Sequence, residues 1–302
     1  MTKSTMRAGT QRSLRTGPTA WLAAPAVAFF GFFAIVPLFG VLVLSFAEWD
    51  GLGDPTWVGA ENWAEVLADP VTQNAMWLTL ALTITTWLVQ APVCILLGVF
   101  MAGHQRYRGW LSVLYFIPLL FSSAAIGIAF KALLDPNFGL GLAFGLDWLN
   151  QDWLGSPALA LPTVLFVITW SFVPFHSLLY QGAARQIPTS IYEAARIDGA
   201  GRVQTFFQIT LPQLRNTIVT SSTLMIVGSL TYFDLIFVMT NGGPGNATRI
   251  LPLDMYLRGF RSYDMGGAAV VGVILVAVGL TVSYLLNRLS GSTTMDSQLE
   301  GA

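Results

Sequence analysis

Long apolar runs alternate with short polar breaks along this chain. Residues 1–20 are polar and flexible in composition, with Lys3, Arg7, Arg12 and Arg15 and no acid. No charge occurs from Trp21 to Phe46. A bilayer core takes about 20 apolar residues, so this run predicts a first membrane span over 21–46, too long for the apolar part of a cleaved signal. The chain is uncharged again over 71–103, which predicts a second span at about 75–102 with a kink at Pro92. Further spans follow at 110–130, at 158–180 with Pro162 and Pro174 inside it, at 216–240 with the single charge Asp234, and at 265–287. The predicted fold class is an all-α membrane protein with six transmembrane helices. Its parts are an N-terminal segment 1–20, a transmembrane domain 21–287 and a tail 288–302, with a polar helix-turn-helix loop, 181–215, between spans 4 and 5.

That loop has its own pattern. Ile187, Ile191, Ala194 and Ala195 recur at three- and four-residue spacing and predict one small apolar helical face, with Tyr192, Glu193 and Arg196 opposite. Pro188 suits a first helical turn, and Gly199 supplies a break where φ can turn positive. A second run, Val203, Phe206, Phe207 and Thr210, ends or kinks at Pro212. Ser190-Ile-Tyr-Glu193 also fits a capping box, which would make Glu193 a local structural residue.

Composition sharpens this picture. The chain has 302 residues, 54% hydrophobic and 10% charged, against about 25% charged in soluble globular chains. Its net charge is −1 and it has no basic tract suited to a phosphate backbone, so no nucleic-acid partner is expected. Cys94, the single cysteine, lies in an apolar run and reads as a packed thiol. If the N-terminus is cytoplasmic, the inward segments carry eleven of the fifteen Lys and Arg. The outward segments carry Lys131, Arg249, Arg258 and Arg261. The bias places both termini and the 181–215 loop in the cytoplasm of a cell with a multi-pass plasma-membrane protein. The first outward loop, 47–73, has six acids and no base, and Trp49, Trp57 and Trp63 suit an interface.

Chemistry is sparse. Neither Lys3 nor Lys131 sits in a Gly-rich phosphate loop, so nucleotide hydrolysis is not expected from this chain. No Ser/His/Asp set is evident, and His104 and His176 share no metal-like spacing with Cys94 or with acids. The expectation is a non-enzyme with no cofactor or metal of its own. His176 reads as a hydrogen-bonded interior side chain.

Glu193-Ala-Ala, Gly199, Ile209 and Leu211-Pro212 occupy every fixed position of the EAA loop. The chain thus resembles the inner-membrane permeases of binding-protein-dependent ABC importers. Asp198 and Ala200 around the glycine resemble the carbohydrate branch. Looser likenesses to the sugar and glycerol-phosphate subfamily cover much of the chain. These are Trp57-Val-Gly-Ala-Glu61-Asn-Trp, Asp234-Leu-Ile-Phe-Val-Met-Thr-Asn-Gly-Gly-Pro244 and Tyr263-Asp-Met-Gly266. The resemblance implies a coupling role for Glu193, Ala194, Ala195, Asp198, Gly199, Ala200, Ile209, Leu211 and Pro212, docking a helix into an ATPase. It implies as partners a second similar permease, two ATPase subunits that hold ATP and Mg, and an extracytoplasmic solute-binding protein.

By the same resemblance, the two spans flanking the loop hold the solute. Candidates are Thr169, Trp170, Ser171, Phe172 and Phe175 in the fourth, with Ser229, Tyr232, Phe233 and Asp234 in the fifth. Asp234 reads either as an interfacial acid reaching water or an arginine, or as an acceptor for solute hydroxyls. A glycerol phosphate would want a basic site, for which Arg249, Arg258 and Arg261 are the candidates. The rival function is a stand-alone secondary transporter or channel, which would carry ion-coupling residues inside its spans; only Asp234 qualifies.

Overall fold

The computed structural model describes residues 20–103 and 105–290. The segment 1–19 and the tail beyond 290 lie outside the described residues, so most of the two terminal parts expected from sequence do too. Among the described residues four helices are long and apolar enough to cross a bilayer: α1 (Ala24–Leu44), α3 (Pro70–Met101), α6 (Pro157–Arg185) and the stretch Met265–Leu286 of the last helix. The short α2 (Glu61–Ala68) precedes α3.

The third expected span is not one helix. It divides into α4 (Arg106–Tyr115), a 3-10 turn at Ile117–Leu120 and α5 (Ser123–Leu133). Pro118 has no N–H to continue the helix. Phe121 is then extended, and the Ser122 hydroxyl caps α5 by accepting from the Ala125 N–H at 3.2 Å. The fifth expected span also breaks, between α9 (Arg215–Ser229) and α10 (Asp234–Met239). Here Ser229 and Thr231 donate hydroxyl hydrogen bonds to the Ile226 and Gly228 carbonyls, at 2.7 and 2.8 Å. Such bonds offer the backbone an alternative to the helical ladder. The sixth expected span is α12 (Met265–Ser290), preceded by α11 (Leu251–Tyr256) and a wider π turn at Leu257–Arg261. Proline is tolerated inside α3 and α6, which run through Pro92, Pro162 and Pro174 without interruption.

The centre of the molecule is the pair α3 and α6. Gly98 lets them approach: a Cβ there would lie 2.5 Å from the Tyr180 Cβ and 2.6 Å from the Ser177 carbonyl oxygen. Cys94 is fully buried in this seam, its thiol 3.6 Å from the Val173 carbonyl oxygen, in keeping with a packed thiol. Leu82, Val164, Ile168, Ile236 and Leu253 form a second core region between α3, α6, α10 and α11. No residue of helix α1 is fully buried, although Val41 is half-buried and faces Gly272 of the last helix.

One end of the bundle is tied by strands and charges. A two-residue strand β1 (Ala47–Glu48) pairs antiparallel with β2 (Thr56–Trp57). The Asn62 amide donates to the Ala47 carbonyl at 2.9 Å, and Gly266 packs so closely on both that a Cβ would sit 2.3 Å from that oxygen. This contact accounts for two of the looser motifs, which meet here. Beside it, the fully buried Asp254 accepts from Arg249 at 2.9 Å, from Arg258 at 3.3 Å and from the Thr72 hydroxyl at 2.9 Å. Arg258 also pairs with Asp69 and, at 3.3 Å, with Asp264. Two of the three arginines that break the charge bias are thus neutralised, Arg249 by the nearby Asp254 and Arg258 by Asp254, Asp264 and the distant Asp69. That corrects the expectation that Arg249 and Arg258 are open to a phosphorylated solute.

Candidate functional site

Helix α6 ends at Arg185, and the loop helix α7 (Thr189–Ile197) begins after Pro188, which is extended at ψ 134°. The helix start has no side-chain cap, and Ser190 already lies within the helix. The capping box is therefore not formed, and Glu193 is exposed and free of that local role. The helix stops in a Schellman motif. The Ala200 N–H donates to the Ala195 carbonyl at 2.9 Å and the Gly199 N–H to the Arg196 carbonyl at 3.1 Å. Gly199 takes φ +78°, a left-handed conformation that a Cβ disfavours.

The return limb opens with α8 (Arg202–Thr205), widens into a π turn at Phe206–Thr210 and ends with Leu211–Gln213. Pro212 cannot donate to the Gln208 carbonyl, so the tighter ladder is lost just where the sequence places a kink. The Tyr192 and Thr210 hydroxyls lie 3.2 Å apart and tie α7 to this limb. Ile187 and Ala195 are buried against the bundle and the limb, Ile191 is half-buried, and Ala194 is exposed.

Two recesses flank α7. One, about 500 Å³, is lined by Ala194, Ala195, Asp198, Ala200 and Ile209. The other, about 860 Å³, has Glu193 in its wall together with several arginines. The tip of the loop presents Ile197, Val203 and Phe207, which are 86%, 71% and 60% exposed. Ile197 was not singled out by spacing, because only the turn at Gly199 shows that it points outward. Leu211 is half-buried and Pro212 exposed on the return limb.

The solute candidates divide. Phe172, Phe175, Tyr232, Phe233 and Asp234 line one cavity of about 430 Å³. The Phe172 and Tyr232 rings lie 5.2 Å apart. Asp234 opens α10, is exposed in the cavity wall and makes no ion pair among the described residues. The other four candidates do not line it. Trp170 packs edge-on against Phe130 with centroids at 5.2 Å, the Thr169 hydroxyl is buried, and Ser229 is fully buried 2.7 Å from the Thr83 hydroxyl. Ser171 donates inside its own helix to the Val167 carbonyl. His176 also lines the cavity, with Nδ1 3.0 Å from the Ser221 hydroxyl, and Ser123 joins from α5. Ser123 was missed because α5 enters only through the break after Pro118, and spacing shows His176 only as an interior side chain, not that α6 turns it to the cavity. Among the described residues no cluster of His, Cys, Asp and Glu is arranged to hold a metal.

Long apolar helices around a largely aromatic and apolar cavity that carries one carboxylate, with a protruding polar helical loop, define a membrane protein of the transport class. The chain belongs to the family of binding-protein-dependent transport system inner membrane components, whose model matches residues 94–294. That family comprises transport subunits of ABC transporters. The diacetylchitobiose uptake system permease protein NgcF of Streptomyces coelicolor is 32% identical over 298 residues, covering 92% of this chain and 84% of its own. The arabinooligosaccharides transport system permease protein AraP of Bacillus subtilis is 30% identical over 274 residues, covering 89% and 87%. In fold, the chain is similar to a subunit of a bacterial ABC transporter that imports the acidic polysaccharide alginate. The TM-score is 0.79 at 22% identity, over 91% of this chain and 95% of that one.

Proposed function

We propose that this chain is the permease subunit of an ABC importer that moves a sugar or oligosaccharide into the cytoplasm. The observation that carries the reading is the loop. A nine-residue helix closed by a glycine-dependent turn presents an exposed apolar tip, Ile197, Val203 and Phe207, at the end of two long apolar helices. A rigid helix with such a tip is suited to a cleft on a separate ATPase, and the EAA residues fall on it. Glu193 would lock the seat, Ala194 and Ala195 would allow close approach, and Gly199 would set the turn. The chain would cross the membrane six times, two of the crossings being broken helices. It would pair with a second permease, two ATPase subunits and an external solute-binding protein; the alginate ABC transporter of similar fold has been solved in complex with a periplasmic protein that holds an alginate pentasaccharide.

The cavity at Phe172, Tyr232 and Asp234 offers aromatic faces and a carboxylate, a combination suited to sugar rings and hydroxyls. Alternating access would follow if ATP-driven closure of the ATPases moved the loop, since a ligand shifts a two-state protein only through differential contact with its states.

Gly199→Val tests the coupling. A Cβ at Gly199 meets nothing within 4 Å, so the substitution acts through the left-handed backbone, at a cost of roughly 1–2 kcal/mol. The variant is expected to insert normally and to lose ATPase pairing and uptake in proteoliposomes with its partners. Undiminished uptake would remove the coupling role. Solute flux by the purified chain alone would favour an independent transporter.

A further inference from the structure

The recess of about 860 Å³ between α7 and the bundle draws on four guanidinium groups from four elements: Arg108 of α4, Arg185 of α6, Arg196 of α7 and Arg202 of α8. One acid, Glu193, shares the wall. Among the described residues none of these arginines is in an ion pair. Arg108 alone is anchored, donating to the Phe100 carbonyl at the end of α3 with its guanidinium 4.4 Å from the Phe100 ring centroid. The opposite recess of the same helix has no base, only Asp198. The positive charge is therefore gathered on one side of α7.

The recess has an apolar floor as well as a cationic rim. Val99, Ile187 and Phe206 line it where α3 and α6 end. Helix α3, with 32 residues, is about 48 Å long at the usual rise, longer than the hydrocarbon core of roughly 30 Å. At least one of its ends therefore reaches past the hydrocarbon core, and the arginines gathered beside its Met101 end suit the headgroup layer there. Arginine suits phosphate because its planar fork can donate two hydrogen bonds at once. An apolar floor suits a glycerol backbone and acyl chain but offers nothing to a free anion.

We propose that this recess is a binding site for a phosphate-bearing anion, and that its occupant is an anionic phospholipid of the leaflet into which α3 and α6 emerge. The lipid headgroup bridges α7 to the bundle through Arg196 and Arg202 on the loop and Arg108 and Arg185 on the helices. The site depends on the membrane setting of the chain and not on ATPase docking or on the nature of the solute.

Native mass spectrometry of the full chain in detergent tests this, titrating phosphatidylglycerol against phosphatidylcholine. The expected result is roughly tenfold or greater preference for phosphatidylglycerol, since each cation near an anionic surface contributes appreciably. R196Q/R202Q abolishes the preference, R196K/R202K keeps most of it, and R261Q, an exposed arginine of another region, leaves it unchanged. The lysine pair guards against loss by misfolding, because it disturbs the same loop without removing charge. Equal retention of both lipids by the natural chain, or equal loss in R261Q, overturns the proposal. Inorganic phosphate provides the second arm. Binding of phosphate that is lost in R196Q/R202Q and unaffected by added phosphatidylglycerol would overturn the lipid as occupant.

Discussion

Asp254 shows how one side chain can organise a region. Its carboxylate is fully buried and holds its near neighbours Arg249 and Arg258 together with Thr72, 182 positions away. Removing one partner of a buried ion pair is costly because the remaining charges stay desolvated. Asp254→Asn is expected to lower stability by about 3 kcal/mol, near the low end for such losses because Arg258 retains Asp69 and Asp264. A fall in the thermal midpoint of the purified chain in detergent checks this; an unchanged midpoint would mean the arginines are stable without Asp254. Gly98 is the converse case, a residue needed for what it lacks. Gly98→Val places carbon against Tyr180 and Ser177 and should cost about 1–3 kcal/mol through overpacking. The same thermal assay reads it, and Gly109, which has open space around it, is the matched control.

At the scale of elements, the loop was legible because its signals are local. Pro188, Gly199 and Pro212 each act on their own φ or N–H, and the structure places the helix start, the left-handed turn and the π widening at those residues. Glu193 was ambiguous, because spacing alone allows either a cap or an outward side chain. The position of the helix start, one residue before Ser190, decides it. The third and fifth expected spans were read as single helices because hydropathy does not register backbone hydrogen bonds. Pro118 with the Ser122 cap breaks one, and the Ser229 and Thr231 hydroxyls accompany the break in the other. Both breaks border the cavity, which Leu119 and Ser123 enter from one side and Thr231 to Asp234 from the other.

For the whole molecule, the cavity between α5, α6, α9 and α10 is the solute path that the proposed function requires. Asp234→Asn removes its one carboxylate while keeping shape, and Phe172→Ala removes the ring stacked near Tyr232. Both are expected to insert and to pair with ATPase partners, yet to reduce solute-stimulated uptake by roughly tenfold, as befits loss of a charged hydrogen bond or of a stacking face. Trp170→Phe, outside the cavity, should leave uptake near normal. If the cavity variants transported normally while the Trp170 variant failed, the solute path would run along the Phe130 face instead.

Sequence alone determined the properties that arise from neighbouring residues: the apolar runs long enough for a bilayer, the glycine-closed loop helix, and the motif that marks the family. Tertiary structure decided which polar groups are free to act. Arg258 is neutralised by Asp69, 189 positions away, while Ser229 is bonded to Thr83, 146 positions away. Asp234, in contrast, is left open to a cavity. Helical period records which residues share a face. Only the packed bundle records which element that face meets, and burial without a partner, or with one, is what sets the chemistry of a charge.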